Sequence, residues 1–205
     1  MINIKCYVVG EIGTNCYLIE DEATKKRAVI DPGDRCDELY QEIDSRGGTL
    51  EYILLTHGHY DHILGVAQLC TRYHPAVVAS KDELEVLQKG AYNRTSIHNI
   101  RLNAFSVDRL LDDGEKFFLG ESEITFMHTP GHTKGSGMYL IDDCIFSGDT
   151  LFCESVGRTD FETSDPSAMM RSIERIKEIQ GERNVFPGHG YFTTLSHEKK
   201  YNPFF

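Results

Sequence analysis

Six consecutive residues, His57-Gly58-His59-Tyr60-Asp61-His62, place three imidazoles and a carboxylate on one short segment. The apolar run Tyr52-Ile53-Leu54-Leu55-Thr56 precedes it, and a helical-looking run over 63–69 follows. The spacing therefore predicts a strand-to-helix turn in which Gly58 lets the backbone bend. Positions i and i+2 of an extended segment point the same way, so His57 and His59 aim at one point, while Asp61 and His62 at the helix start can aim at a second nearby. Borderline-soft cations such as zinc favour this mixture of imidazole and carboxylate. A polar turn that happens to be rich in histidine leaves such close packing of donors unexplained.

The same pattern of apolar strand, glycine turn and metal-capable side chain recurs three times. Residues 124–128 run into Thr129-Pro130-Gly131-His132, 144–147 into Gly148-Asp149, and 184–186 into Pro187-Gly188-His189. Side chains presented at the ends of several strands can converge on one rim of a sheet. The candidate ligands are thus His57, His59, Asp61, His62, His132, Asp149 and His189. They are too many for one tetrahedral ion but suit two divalent ions if one carboxylate bridges them. Zinc is the expected metal, although iron and manganese accept the same ligands. His74, His98, His128 and His197 lack this context and read as structural or surface residues, and Cys153 reads as a packed thiol. With no Gly-x-Ser-x-Gly segment and no Ser or Cys beside a convincing base, the chemistry falls to a metal-activated hydroxide.

Read in order, residues 2–9 and 14–19 alternate as strands, and 27–30 form a third that stops at the turn Asp31-Pro32-Gly33-Asp34. A short amphipathic helix is expected over 36–46, closed by Gly47-Gly48, and a helix after the histidine turn runs to about Tyr73. Residues 76–79 read as a strand, and Ser80-Lys81-Asp82-Glu83 as a helix cap followed by an acidic first turn. Periodicity is lost over 90–106, long enough for a lid or binding loop as well as for a plain surface loop. Short strands follow, then a helix opened by Ser164-Asp165-Pro166 and running to Gln180. This order predicts an α/β fold of two mixed sheets packed face to face with helices outside. The length fits one domain over 1–205.

A formal net charge of −11 argues against nucleic acid as the resident partner. No apolar run approaches the ~20 residues of a membrane span. The N-terminus shows no export signal, so a cytoplasmic protein with reduced cysteines is expected. The oligomeric state is not legible.

The His57-x-His59-x-Asp61-His62 turn, followed in order by His132, Asp149 and His189, resembles the metallo-β-lactamase superfamily, with the Asp31-Pro32-Gly33 turn in its usual place before the cluster. The resemblance implies a four-layer αβ/βα sandwich with metals at one edge of the sheets. It implies His57, His59 and His132 on one ion, Asp61, His62 and His189 on the other, Asp149 between them, and Asp61 as the catalytic residue that orients the nucleophilic water. Within the superfamily, Ser147-Gly148-Asp149-Thr150-Leu151-Phe152 and Gly157-Arg158-Thr159-Asp160-Phe161 resemble glyoxalase II and its short relatives, which hydrolyse thioesters such as S-lactoylglutathione. That likeness implies Arg158 and Tyr191 as substrate-binding residues that contact glutathione. For Arg158 a salt bridge with Asp160 or Glu162 is the competing expectation, and for Tyr191 packing under the tail. Glyoxalase II also has a helical C-terminal domain that grips glutathione, whereas only residues 190–205 follow His189 here.

A different reaction class shares the fold and the Gly-Arg-Thr-Asp-Phe segment. Persulfide dioxygenases use a single iron on residues matching His57, His132 and Asp149. A non-catalytic member of the fold is a third reading, against which the complete ligand set argues.

Overall fold

The computed structural model describes every residue except Arg46 and Gly48. Two six-stranded sheets form its centre. The first contains β1 (Ile2–Val9), β2 (Thr14–Asp21), β3 (Arg27–Ile30), β4 (Leu50–Leu54), β5 (Ala76–Ser80) and β6 (Arg109–Leu111), in that spatial order. β1, β2 and β3 pair antiparallel, and β3 to β6 run parallel. The second sheet contains β7 (Lys116–Leu119), β8 (Ser122–His128), β9 (Gly137–Ile141) and β10 (Cys144–Gly148). A small hairpin of β11 (Leu151–Phe152) and β12 (Ser155–Val156) follows, before β13 (Asn184–Pro187) and β14 (Thr193–Thr194) complete that sheet in the order β14-β13-β10-β9-β8-β7. Both sheets are mixed, since β10 and β13 are parallel while β8, β9 and β10 are antiparallel.

Alternation along the strands decides the layering. In β2, Cys16 and Leu18 face one way and join a core under α1 (Asp37–Ser45), α2 (Tyr60–Ile63) and α3 (Val66–Tyr73). Tyr17 and Ile19 face the other way and meet Phe126, Tyr139 and Phe146 of the second sheet. Two more short helices, α4 (Leu84–Gln88) and α5 (Thr95–His98), follow β5. The outer face of the second sheet is covered by α6 (Pro166–Lys177) and α7 (Leu195–Tyr201), through Met169, Ile173, Ile176 and Leu195. The layers are therefore helix, sheet, sheet, helix, as the residue order and the resemblance predicted. The six cysteines are free thiols.

Local boundaries differ in places. The helix expected up to Tyr73 is broken between α2 and α3, because Gly65 passes against the Asp31-Pro32-Gly33 turn. Its N–H donates to the Pro32 carbonyl at 2.8 Å, and a β-carbon there would lie 2.8 Å from that same oxygen. The helix expected over 36–46 is α1, ending at Ser45, and the end assigned to Arg46 and the Gly47-Gly48 closure falls partly outside the described residues. Asp165 caps α6 as expected, accepting from the N–H groups of Ser167 and Ala168, but the helix ends at Lys177, short of Gln180. Residues 90–106 contain α5 and are not a featureless loop.

Candidate metal centre

β4, β8, β10 and β13 all end at one rim, and each delivers its candidate ligands there. Two donor triads result. His57, His59 and His132 form one, and Asp61, His62 and His189 the other, with ligand atoms in each within 4.8 Å of one another. Asp149 stands between them: one oxygen is 3.5 Å from His62 Nε2, the other 3.5 Å from His132 Nε2 and 3.7 Å from His189 Nε2. All seven residues singled out by their spacing are thus brought to one place.

The outer partners of the rings decide which nitrogen faces inward. His132 Nδ1 faces the Arg158 carbonyl at 2.9 Å and His189 Nδ1 faces the Gly13 carbonyl at 3.3 Å; a carbonyl only accepts, so both carry a proton on Nδ1 and turn Nε2 towards the centre. His62 Nδ1 faces Asp31 Oδ2 at 2.9 Å, so it too carries a proton on Nδ1 and turns Nε2 towards the centre. The Thr56 hydroxyl donates to Asp31 Oδ2 at 2.6 Å, so His57 Nδ1, 3.2 Å from that hydroxyl, is the donor there and its Nε2 is a lone pair. His57 Nε2 and His132 Nε2 both point at His59 Nδ1, at 3.1 and 2.9 Å. One ring hydrogen cannot satisfy this arrangement, whereas a cation would accept all three nitrogens. Asp149 Oδ1, buried without a hydrogen-bond partner, is a second group that a cation would satisfy. The residues present fit a metal.

The electrostatics agree. Burial and the neighbouring rings hold His57 well below its usual range, burial does the same to His59, and burial lowers His132, so these rings are in the neutral, ligating form. In the other triad, burial alone would raise Asp61, but His62 and His189 outweigh it and hold the carboxyl far below the usual range. Burial likewise would lower His62, yet Asp61, Asp149 and Asp31 push it up, the sign of a site rich in carboxylates that calls for positive charge.

Two residues outside the spacing argument hold the centre in place. Asp31, read from sequence only as part of a turn, sits at the end of β3 and accepts from the N–H and hydroxyl of Thr56 as well as from His62. Glu83, read from sequence only as one of the acidic residues of a first helical turn, is 1 % exposed. It accepts from Gly58 N–H (2.7 Å), Thr133 Oγ1 (2.8 Å) and Gly135 N–H (2.9 Å), linking the His57/His59 turn to the loop after His132. Burial pushes its carboxyl up to about 8 despite those donors. Neither role has a local signature, because the partners are distant in sequence.

A cavity of about 620 Å³ opens above the cluster, walled by Ile12, Phe152, Val156 and Phe161 and by His59, Asp61, His132, Asp149 and His189 of the candidate ligands, while His57 and His62 lie buried behind them. An adjoining cavity of about 390 Å³ shares Ile12, Tyr60, Asp61 and His98 with it. His98, read from sequence as a structural or surface residue, therefore lies on the cavity wall, with its ring 4.9 Å from that of Tyr60. Arg158 also lines the larger cavity, but its guanidinium is held by both oxygens of Asp160 at 2.6 Å, the competing expectation for this residue. Tyr191 is 86 % exposed and stands outside the cavity. Cys153, half-buried, lies outside it too.

A profile of the metallo-beta-lactamase superfamily matches residues 9–189. Among curated proteins, the chain is similar to hydroxyacylglutathione hydrolase GloC of Haemophilus influenzae, 32 % identical over 208 residues, which span 99 % of this chain and 98 % of that protein. Among solved structures it is similar to the BLEG-1 B3 metallo-beta-lactamase, with a TM-score of 0.90, 32 % identity and coverage of 100 % of this chain and 99 % of that one. It is also similar to a protein crystallised in a di-iron-bound form, with a TM-score of 0.86, 33 % identity and coverage of 98 % of this chain and 100 % of that one. The paired sheets, the histidine turn at the end of β4 and this match over most of the sequence lead to one assignment: the chain belongs to the metallo-β-lactamase superfamily.

Proposed function

We propose that this protein is a dinuclear metal-dependent hydrolase of thioesters such as S-lactoylglutathione. The observation that carries the reading is the convergence of seven donors, in two triads joined by Asp149, with five of them (His59, Asp61, His132, Asp149 and His189) lining a cavity large enough for a small-molecule substrate. The full-length similarity to a hydroxyacylglutathione hydrolase supports the thioester as substrate. His57, His59 and His132 would hold one ion, Asp61, His62 and His189 the other, and Asp149 would contact both. When bound, the two ions polarise a carbonyl and acidify water. Zinc suits the donors, and the one similar protein crystallised in a di-iron-bound form supports iron as the alternative.

The chain's own residues do the rest. Asp61 stays ionised beside His62 and His189 and accepts a hydrogen bond from the attacking water, orienting it at the rim of the cavity. Thr56 and Asp31 fix the ring orientations of His57 and His62, so that no ligand has to reorganise during turnover. Phe152, Val156 and Phe161 pack the substrate and exclude bulk water. The small molecule is then cleaved to a carboxylic acid and a free thiol.

Elemental analysis of protein purified without chelator, followed by an assay of thiol release, tests this reading. About two ions per chain and turnover of S-lactoylglutathione are expected. H59A is expected to lose metal and to drop activity beyond the ~100-fold typical of outer-shell changes at metal sites. Full turnover by H59A would overturn the site. One iron per chain, with oxygen uptake on a glutathione persulfide, would replace the hydrolase by a dioxygenase.

A further inference from the structure

Arg94 lines the cavity above the ligand cluster. Its guanidinium carbon lies 4.0 Å from the centroid of the Phe161 ring, and that ring stands edge-on to His59 and His132 at 5.2 and 5.5 Å. A positive charge is thus held one aromatic ring away from the donor triad. Arg158 lies over the same ring at 4.5 Å, but Asp160 neutralises it. Among the described residues no carboxylate lies within ion-pair distance of Arg94, in a chain whose net charge is −11.

The backbone beneath Arg94 is costly. Its φ of +67° is left-handed, a conformation that a long side chain adopts only where the surroundings enforce it. The enforcing residue is Asn93, which is buried. Its side chain accepts from the Thr95 N–H and hydroxyl at 3.1 and 2.7 Å and donates to the Leu87 carbonyl at 3.1 Å. Its carbonyl accepts from the N–H of Tyr60, inside the histidine turn, at 2.9 Å. The segment that bears the ligands therefore also aims Arg94.

We propose that Arg94 is the specificity-determining cation of this site and selects thioesters that carry an oxyanion, a carboxylate or a phosphate, on the part of the substrate lying along Phe161. The inference rests on the hydrolase reading. A planar guanidinium stacked on an aromatic ring keeps its N–H edge free and presents a fork that matches either anion.

Three substrates with the same scissile bond test it on the metal-loaded full chain: S-lactoyl-N-acetylcysteamine, which is neutral; S-lactoylglutathione, anionic on the thiol side; and S-succinyl-N-acetylcysteamine, anionic on the acyl side. In R94Q the preference in kcat/KM for an anionic over the neutral substrate should fall about tenfold or more, chiefly through KM, and R94K should restore part of it. The anionic substrate that responds identifies the half of the molecule that meets Arg94. An equal change on all three substrates, or none, would overturn the proposal. If the wild-type protein cleaves no thioester, the hydrolase reading fails, and calorimetric binding of S-methylglutathione still decides on Arg94. Binding about tenfold weaker in R94Q supports it, whereas equal binding, or none to either protein, overturns it. Unchanged metal content in R94Q shows that the donor cluster is intact.

Discussion

Glu83 shows how much one side chain can organise. Its two oxygens take three donors from two loops, and a ligand turn lies at each end of the bridge. Truncation to alanine leaves the N–H groups of Gly58 and Gly135 and the Thr133 hydroxyl without their acceptor in the interior, so E83A should lose about 1–3 kcal/mol of stability. It should also weaken metal binding by about tenfold, the low end of the range for groups that position metal ligands. Competition against a chromophoric chelator reads the second effect, and unchanged affinity there would confine Glu83 to a purely structural role. At the same scale, His57, His59, Asp61, His62, His132, Asp149 and His189 were legible because each follows an apolar strand and a bend. Asp31 and Glu83 were hidden, because an acidic residue beside a turn is normally solvated and only its distant partners reveal that it is buried.

Between elements, Asp21 does for the two sheets what Glu83 does for the two loops. It sits at the end of β2, accepts from the Thr24 N–H and hydroxyl at 2.8 and 2.6 Å, and takes the Ser122 hydroxyl of β8 at 2.8 Å. Burial alone would raise its carboxyl, but the bonds from Thr24 and Ser122 outweigh it and hold it down to about 2. A depressed carboxyl contributes stability that is present above its unfolded value, near 4, and is lost as the pH falls towards 2. D21N should therefore be less stable than wild type at pH 6, by about 1–3 kcal/mol. The gap between the urea midpoints of the two proteins should close as the pH is lowered to 3 and below, and a gap independent of pH would show that Asp21 does not act through its charge. The element boundaries teach a related lesson. Hydrophobic periodicity marked one helix up to Tyr73, but Gly65 has to pass the Pro32 carbonyl, and that long-range approach breaks the helix in two.

Across the whole molecule, the rim of the sandwich gathers five imidazoles, three of them held neutral chiefly by burial, together with Asp61 and Asp149. Bound ions would relieve both the facing lone pairs and the excess negative charge, and binding to the folded state alone adds stability by mass action. Chelation should lower Tm by about 5–10 °C relative to protein with metal at about a hundredfold excess over Kd, and added zinc should restore it. Differential scanning calorimetry with and without chelator measures this, and an unchanged Tm would mean that the folded chain holds no ion tightly. No helix among the described residues is long and apolar enough to cross a membrane.

The sequence by itself determined the strand-and-turn units, the two mixed sheets with outer helices and which donor-bearing side chains those units bring to one rim, because strand alternation, glycine bends and ligand chemistry are local properties that a short stretch of chain expresses. Only the tertiary structure decided which nitrogen of each ring faces the centre, that Asp31 and Glu83 hold the ligand turns, that Tyr191 stands outside the cavity while His98 lines it, and that Arg158 is paired with Asp160 while Arg94 faces the cavity. Each of those outcomes is set by contacts between segments far apart along the chain, such as Thr133 with Glu83 or Tyr60 with Asn93. Such contacts exist only once both sheets have closed on one another, and no periodicity records them.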